Sequence, residues 1–234
     1  SILMRSAGCI VNDIVDRNYD KKVSRTKYRP IASGKVSVKL GLSFTIVLCL
    51  AALCVLLNFN NLTILLALAS MPLAFTYPLM KRFTYWPQLF LGVTFNYGLI
   101  LGWTSFSNAI NIEPIIFYLG AIFWTLGYDT IYGFQDIKDD EIIGLKSTSI
   151  KFKKNPYIFL FSCYSLFFSS LMLIGYLMQL NKYYYIFLIL IFLQIFFFQL
   201  KKLNVKDASN CLNVFKSNNF LGLLIFTGLI VGKI

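Results

Sequence analysis

The chain has 234 residues, 57% hydrophobic and 14% charged, with mean hydropathy +0.67 and a formal net charge of +12. A soluble domain carries about 25% charged residues, so this composition excludes an ordinary soluble protein and indicates a polytopic membrane protein. The positive charge sits in short segments between apolar runs, which excludes a nucleic-acid partner, and the absence of His excludes His metal ligands and His-based catalysis.

Residues 1–16 read as the last part of a helix, so the chain is expected to begin mid-helix and to be truncated at its N-terminus. Seven windows follow that are long and apolar enough to span a bilayer, which takes about 20 residues. They are 36–58, 62–79, 87–106, 112–134, 156–178, 183–200 and 217–234. The expected fold class is all-α. It is a transmembrane helical bundle of seven spans and a partial one, forming a single domain over 1–234.

The connecting segments alternate in charge. Basic residues crowd the loop from Arg17 to Lys39, the Lys81-Arg82 pair, the segment from Lys138 to Lys154, and the segment from Lys201 to Lys216. The intervening turns carry almost none. Nineteen of the 22 basic residues thus fall on one side, which the positive-inside rule makes the cytoplasmic or matrix side. The expected location is a bacterial inner membrane or a mitochondrial inner membrane. Cys9, Cys49, Cys54, Cys163 and Cys211 are scattered without metal-type spacing and read as small apolar helix residues.

Two acidic clusters stand out in chain order. Eight of the ten acidic residues lie within 13–20 and 129–141. In the first, Asn12, Asp16 and Asp20 recur every four residues and Asp13 lies three before Asp16, which gathers them on one helix face. In the second, Asp129, Asp136 and Asp140 fall at spacings of seven and four, again expected on one helix face, with Tyr132 and Asp139 flanking. Neighbouring carboxylates beside apolar helices repel unless a cation lies between them. Hard oxygen ligands suit Mg²⁺, which bridges carboxylates and substrate phosphates. One such cluster alone reads equally well as a solvated helix end. Two on the same membrane side indicate a site for a diphosphate and its metals.

Arg25, Lys27 and Arg29 follow the first cluster, Lys81 follows Tyr77, and Lys146 follows the second cluster. All five are candidates for diphosphate binding, with Arg offering a two-pronged contact and Lys a point charge. Arg5 sits two turns before Asn12 inside apolar sequence, where an ionised side chain is functional by default.

These blocks resemble the UbiA superfamily of intramembrane prenyltransferases. Arg5-Ser6-Ala7-Gly8-Cys9-Ile10-Val11-Asn12-Asp13, running into Asp16, Asp20 and Arg25-Thr26-Lys27-Tyr28-Arg29-Pro30, is similar to the first signature. Tyr77-Pro78-Leu79-Met80-Lys81-Arg82 with Trp86-Pro87-Gln88 resembles a second block. Asp129-Thr130-Ile131-Tyr132, Gln135-Asp136, Asp139-Asp140 and Gly144-Leu145-Lys146-Ser147-Thr148 resemble the second Asp-rich signature. The details are most similar to the 4-hydroxybenzoate branch, which serves ubiquinone synthesis.

The resemblance implies nine transmembrane helices around a central cavity, so the first helix and the start of the second are expected to be missing here. It implies Mg²⁺ held by Asp13, Asp16, Asp20, Asp129, Asp136 and Asp140, with Asp13, Asp16, Asp129 and Asp136 at the centre of catalysis. The implied substrates are a polyprenyl diphosphate and 4-hydroxybenzoate, with Arg5, Asn12 and Tyr77 around the aromatic acid and the prenyl tail leaving toward the lipid bilayer. Gly133 stands where the family commonly has Ala, with little effect expected. Other acceptors (naphthoate, homogentisate, haem) are the alternatives within the class. A cation transporter is the alternative outside it, and it would place the acids at the bilayer midplane within repeats; no internal repeat is seen.

Overall fold

The computed structural model describes residues 2–23 and 26–234, and these form no strand. Arg25, one of the expected diphosphate ligands, lies outside the described residues. The first helix, α1 (Ile2–Val15), is followed after Asp16 by one short turn of helix, α2 (Arg17–Asp20). The remaining long helices match the seven expected spans: α3 (Val38–Leu56), the run Asn61–Phe83, the run Pro87–Ser107, α8 (Ile112–Gly133), α11 (Pro156–Leu177), the run Lys182–Leu200, and α13 (Ala208–Lys233).

Three of the spans are compound. Asn61–Phe83 comprises α4 (Asn61–Thr76), a tight 3₁₀ turn at Tyr77–Leu79 and α5 (Met80–Phe83). Pro87–Ser107 breaks at Asn96 into α6 (Pro87–Phe95) and α7 (Tyr97–Ser107). Lys182–Leu200 begins as α12 (Lys182–Phe192) and widens into a π-helix over Leu193–Leu200. Two short helices, α9 (Ile137–Ile143) and α10 (Thr148–Lys151), fill the connection between α8 and α11.

Capping residues set the starts. Ser37 Oγ accepts from Leu40 N–H, Asn60 Oδ1 from Thr63 N–H, and Asn181 Oδ1 from Tyr183 N–H. Each satisfies an amide that lacks an intrahelical partner. The last span starts at Ala208, nine residues earlier than expected at 217. Asp207 Oδ1 accepts from the Ser209 and Asn210 amides and starts the helix in polar sequence ahead of the apolar stretch. Lys216 therefore sits within a helix and not in a loop.

The outer surface is apolar. On α3 alone, Leu42, Phe44, Ile46, Val47, Leu50 and Val55 are exposed, which is the pattern of a lipid-facing helix. Inside, α8 is the hub. Its face at Gly120 and Gly127 meets α11, where an added Cβ would lie 1.7 Å from Ser170 Oγ and 2.9 Å from the Tyr164 ring. Only a bare backbone allows this approach, the device membrane helices use when burial of apolar area supplies no drive. Trp124 of α8 stacks on Phe167 at 5.2 Å and donates from Nε1 to Asn218 Oδ1 of α13 at 2.8 Å. Asn96, at the break between α6 and α7, donates from Nδ2 to Ala121 O and Thr125 Oγ1 of α8. Interhelical hydrogen bonds of this kind contribute about 0.6 kcal/mol each on average in a bilayer, so they align the helices more than they hold them.

The expectation that Gly133 is interchangeable with Ala is corrected here. A Cβ at Gly133 would lie 2.4 Å from Ser149 Oγ. That hydroxyl is fully buried and donates to Thr130 O at 2.7 Å. Gly133→Ala should destabilise the purified protein by about 1–3 kcal/mol through overpacking, and adding Ser149→Ala should recover most of the loss. Thermal unfolding of the two singles and the double in one detergent measures this coupling.

Candidate active site

Both acidic clusters line one cavity of about 280 Å³. Its walls include Asn12, Asp16, Asp20 and Arg29 from the first cluster and its loop, and Tyr77 and Lys81 from the end of the second span. Asp129, Asp136, Asp140 and Lys146 close the opposite side. The first wall stays nearly helical through its break: Asp16 N donates to Asn12 O and Asp20 N to Asp16 O, both at 2.8 Å. The expected four-residue spacing thus survives. The second wall does not follow one helix face as expected. The helix ends at Gly133, a turn follows, and Asp136 precedes α9. Asp129 projects from α8 while Asp140 comes from α9.

The cavity carboxylates of the first wall are held by cations. Asp16 is 1% exposed, and its Oδ2 receives Lys81 Nζ at 2.5 Å. Arg82 Nη2 lies 3.7 Å from Asp16 Oδ1 and donates to Val15 O at 2.8 Å. Burial pushes the Asp16 carboxyl above the ordinary carboxylate range, Lys81 and Arg82 pull it down, and Asp20 adds to the rise. Arg29 Nη1 bridges Asp13 Oδ1 at 2.9 Å and Asp20 Oδ2 at 3.2 Å. Asp13 itself is absent from the cavity wall and reaches the site through Arg29.

Backbone hydrogen bonds join the two walls. Lys146 N–H donates to Lys81 O at 2.9 Å, and Lys146 Nζ donates to Phe83 O at 3.2 Å. Gln88, buried at the start of α6, accepts from Thr148 N–H through Oε1 at 3.0 Å. Thr148 and Thr130 share a 2.6 Å hydroxyl contact. The segment carrying Lys146 and Thr148 is therefore tied to three spans.

Two expected residues lie apart from this cavity. Lys27 and Tyr28 are exposed, with the Lys27 ammonium 5.0 Å above the Tyr28 ring. Arg5 is exposed, with its guanidinium 5.4 Å from the Phe95 ring centre. Conversely, Gln88 and Ser147 carry no assigned role in the sequence reading, and Arg82 is expected there only as a basic neighbour of Lys81. Arg82 and Gln88 stand inside the motifs quoted above, and a Gln directly after the Pro that opens a helix was the available signal for one of them.

Among the described residues no three Asp, Glu or Cys side chains are gathered tightly enough to hold a metal unaided. The donor chemistry nevertheless fits a hard cation. The walls offer carboxylate oxygens from two sides, and the buried Asp16 Oδ1 makes no hydrogen bond among the described residues. Such a site suits an ion that takes its remaining ligands from a phosphate.

The family described as UbiA prenyltransferase matches residues 1–224. The chain belongs to the UbiA prenyltransferase family. It is 40% identical over its whole length to "4-hydroxybenzoate polyprenyltransferase, mitochondrial" of Arabidopsis thaliana, of which it spans 57%. It is 42% identical, again over its whole length, to the Homo sapiens protein of the same name, of which it spans 63%. Among solved structures, a UbiA homologue from Aeropyrum pernix K1 superposes with a TM-score of 0.84 at 21% identity, covering all of this chain and 86% of that one. A UbiA homologue from Archaeoglobus fulgidus, solved with GPP and Mg²⁺, superposes at 0.71 and 18% identity, covering all of this chain and 87% of that one. These two likenesses bear on the fold, which is that of the UbiA enzymes.

The Asp16–Lys81 pair generates a stability prediction. Lys81→Met leaves a buried carboxylate without its main partner and should cost on the order of 3 kcal/mol near neutral pH. An Asp whose folded pKa lies above its unfolded value of about 3.9 ionises at the expense of the fold, so this loss should grow as pH rises and shrink as pH falls. Melting temperatures in detergent at pH 5 and pH 8 measure it.

Proposed function

We propose that the chain carries the catalytic core of an Mg²⁺-dependent prenyltransferase that moves a polyprenyl group from an allylic diphosphate to the ring of 4-hydroxybenzoate. The observation that carries the reading is the meeting of two acidic walls and three basic side chains, Arg29, Lys81 and Lys146, around one cavity. It is supported by the Arabidopsis and human relatives, named 4-hydroxybenzoate polyprenyltransferases, and by the GPP and Mg²⁺ bound by the Archaeoglobus homologue.

In this reading Asp16 and Asp20 on one wall and Asp129, Asp136 and Asp140 on the other hold Mg²⁺, and Asp13 and Asp16 with Asp129 and Asp136 matter most for rate. The bound metal neutralises diphosphate charge as the leaving group departs. Asp13 acts through Arg29, which it orients. Arg29 is bound to Asp20 and Lys81 to Asp16, so both cations would turn to the diphosphate where those two carboxylates serve the metal. Lys146 approaches from the opposite wall, and Arg25 belongs to the same basic segment as Arg29. The allylic carbon–oxygen bond breaks with its electron pair leaving on the diphosphate, and stabilising that charge is the main catalytic contribution. The ring carbon ortho to the phenol attacks the allylic cation, and the ring then loses a proton. Tyr77 lines the cavity and Asn12 stands at its first wall. Arg5, two turns away on α1 and outside the cavity lining, is the residue that would receive the benzoate carboxylate. The apolar helices exclude water from the cation.

The chain is an integral membrane protein, and in this reading the cavity opens on its basic side, toward cytoplasm or matrix. Membranes carrying the protein should prenylate 4-hydroxybenzoate in preference to dihydroxynaphthoate or homogentisate, and EDTA should abolish transfer. Asp16→Ala and Asp129→Ala should each lower the rate by roughly 10²-fold or more; an unchanged rate in either refutes the metal assignment. Mg²⁺ together with a prenyl diphosphate at 100 times its Kd should stabilise the protein by about 2.7 kcal/mol, and Asp16→Asn should remove that shift.

A further inference from the structure

Away from the active-site cavity, a second groove of about 420 Å³ lies between the start of α11 and the loop preceding α13. Its polar lining is Lys153, Lys154, Asn155, Asn204 and Lys206, and its apolar lining is Pro156, Tyr157, Ile158 and Val205. Tyr157 OH donates to Leu203 O at 3.0 Å and fixes the two segments against each other. The ammonium of Lys153 is bonded to Glu141. Lys154 and Lys206 make no ion pair among the described residues. The nearby acid Asp207 is occupied, accepting from Ser209 Oγ and two backbone amides.

The groove continues into an apolar surface. Ile158 is 71% exposed, and below it Phe161 on α11 packs edge-on against Phe196 of the π-helix, with Phe161, Phe197 and Phe198 exposed. Free cations at the top of a strip that runs down an exposed aromatic wall match an amphiphile with an anionic head. A free phosphate would use the lysines and leave the wall unexplained. Basic pockets between helix ends on the positive side of a membrane protein are suited to anionic lipid headgroups.

We propose that this groove binds one anionic phospholipid, with its phosphodiester between Lys154 and Lys206 and its acyl chains along the face of α11 and the π-helix. The site is separate from the diphosphate cavity, and its lysines are absent from the lining of that cavity.

The test uses the purified full chain in a neutral detergent, titrated with phosphatidylglycerol, phosphatidylcholine or inorganic phosphate, read by native mass spectrometry and by melting temperature. Phosphatidylglycerol should bind and raise the melting temperature, and the other two should not. Lys154→Gln/Lys206→Gln should weaken phosphatidylglycerol about 25-fold, fivefold for each lysine removed. The control pair Lys35→Gln/Lys39→Gln, which removes the same charge from the same membrane side, should retain wild-type affinity. Equal loss in both pairs, equal stabilisation by inorganic phosphate, or no preference over phosphatidylcholine overturns the proposal. The melting transition without lipid reports folding of each variant, and the single Lys206→Gln carries the test if the double does not fold.

Discussion

A carboxylate that is 1% exposed at the end of an apolar helix is the constraint around which this molecule is arranged. Asp16 cannot be carried ionised into such a place without a cation, and the chain supplies Lys81 and Arg82 from a different span. That requirement pins the end of the second span to the end of α1. Val23, Ile31 and Ala32 are buried, and Arg29 reaches Asp13 and Asp20. The first wall of the cavity is thus a charge-balanced unit before any ligand enters. In the proposed reading the same cations, Lys81 and Arg29, would also meet the diphosphate.

The rest of the bundle places the second wall. The hub helix α8 packs closely on α11 through Gly120 and Gly127, is braced by Asn96 and Trp124 on its other sides, and ends at Asp129 to Gly133 facing Asp16. Bilayers give helices little reason to associate through apolar area. Small residues and single polar contacts therefore decide which faces meet, and through them where Asp129 points.

Hydropathy made the spans legible because lipid imposes a minimum apolar length that few other environments do. It misplaced the start of α13 because it reports lipid contact and not helicity: the polar turn after Asp207 is helical through its cap. The break at Asn96 and the π-helical stretch from Leu193 depend on contacts with neighbouring helices, which one-dimensional spacing does not carry. In the acidic clusters, the four-residue rhythm of Asn12, Asp16 and Asp20 was readable because their helix is nearly continuous. The rhythm of Asp129, Asp136 and Asp140 misled, because Gly133 ends the helix between them. The pairing of Lys81 with Asp16 was invisible for a different reason: 65 residues separate them, and a cation near a signature reads the same whether it serves a ligand or a carboxylate.

The strut between the two walls is a peptide hydrogen bond, from the amide of residue 146 to the carbonyl of residue 81. Backbone groups are common to every amino acid, and only proline at 146 would delete the donor. Replacing either side chain leaves this link in place, although the Lys81 side chain separately balances the buried Asp16. The joint between the halves thus rests on a peptide group at 146 and on both a peptide group and an ammonium at 81.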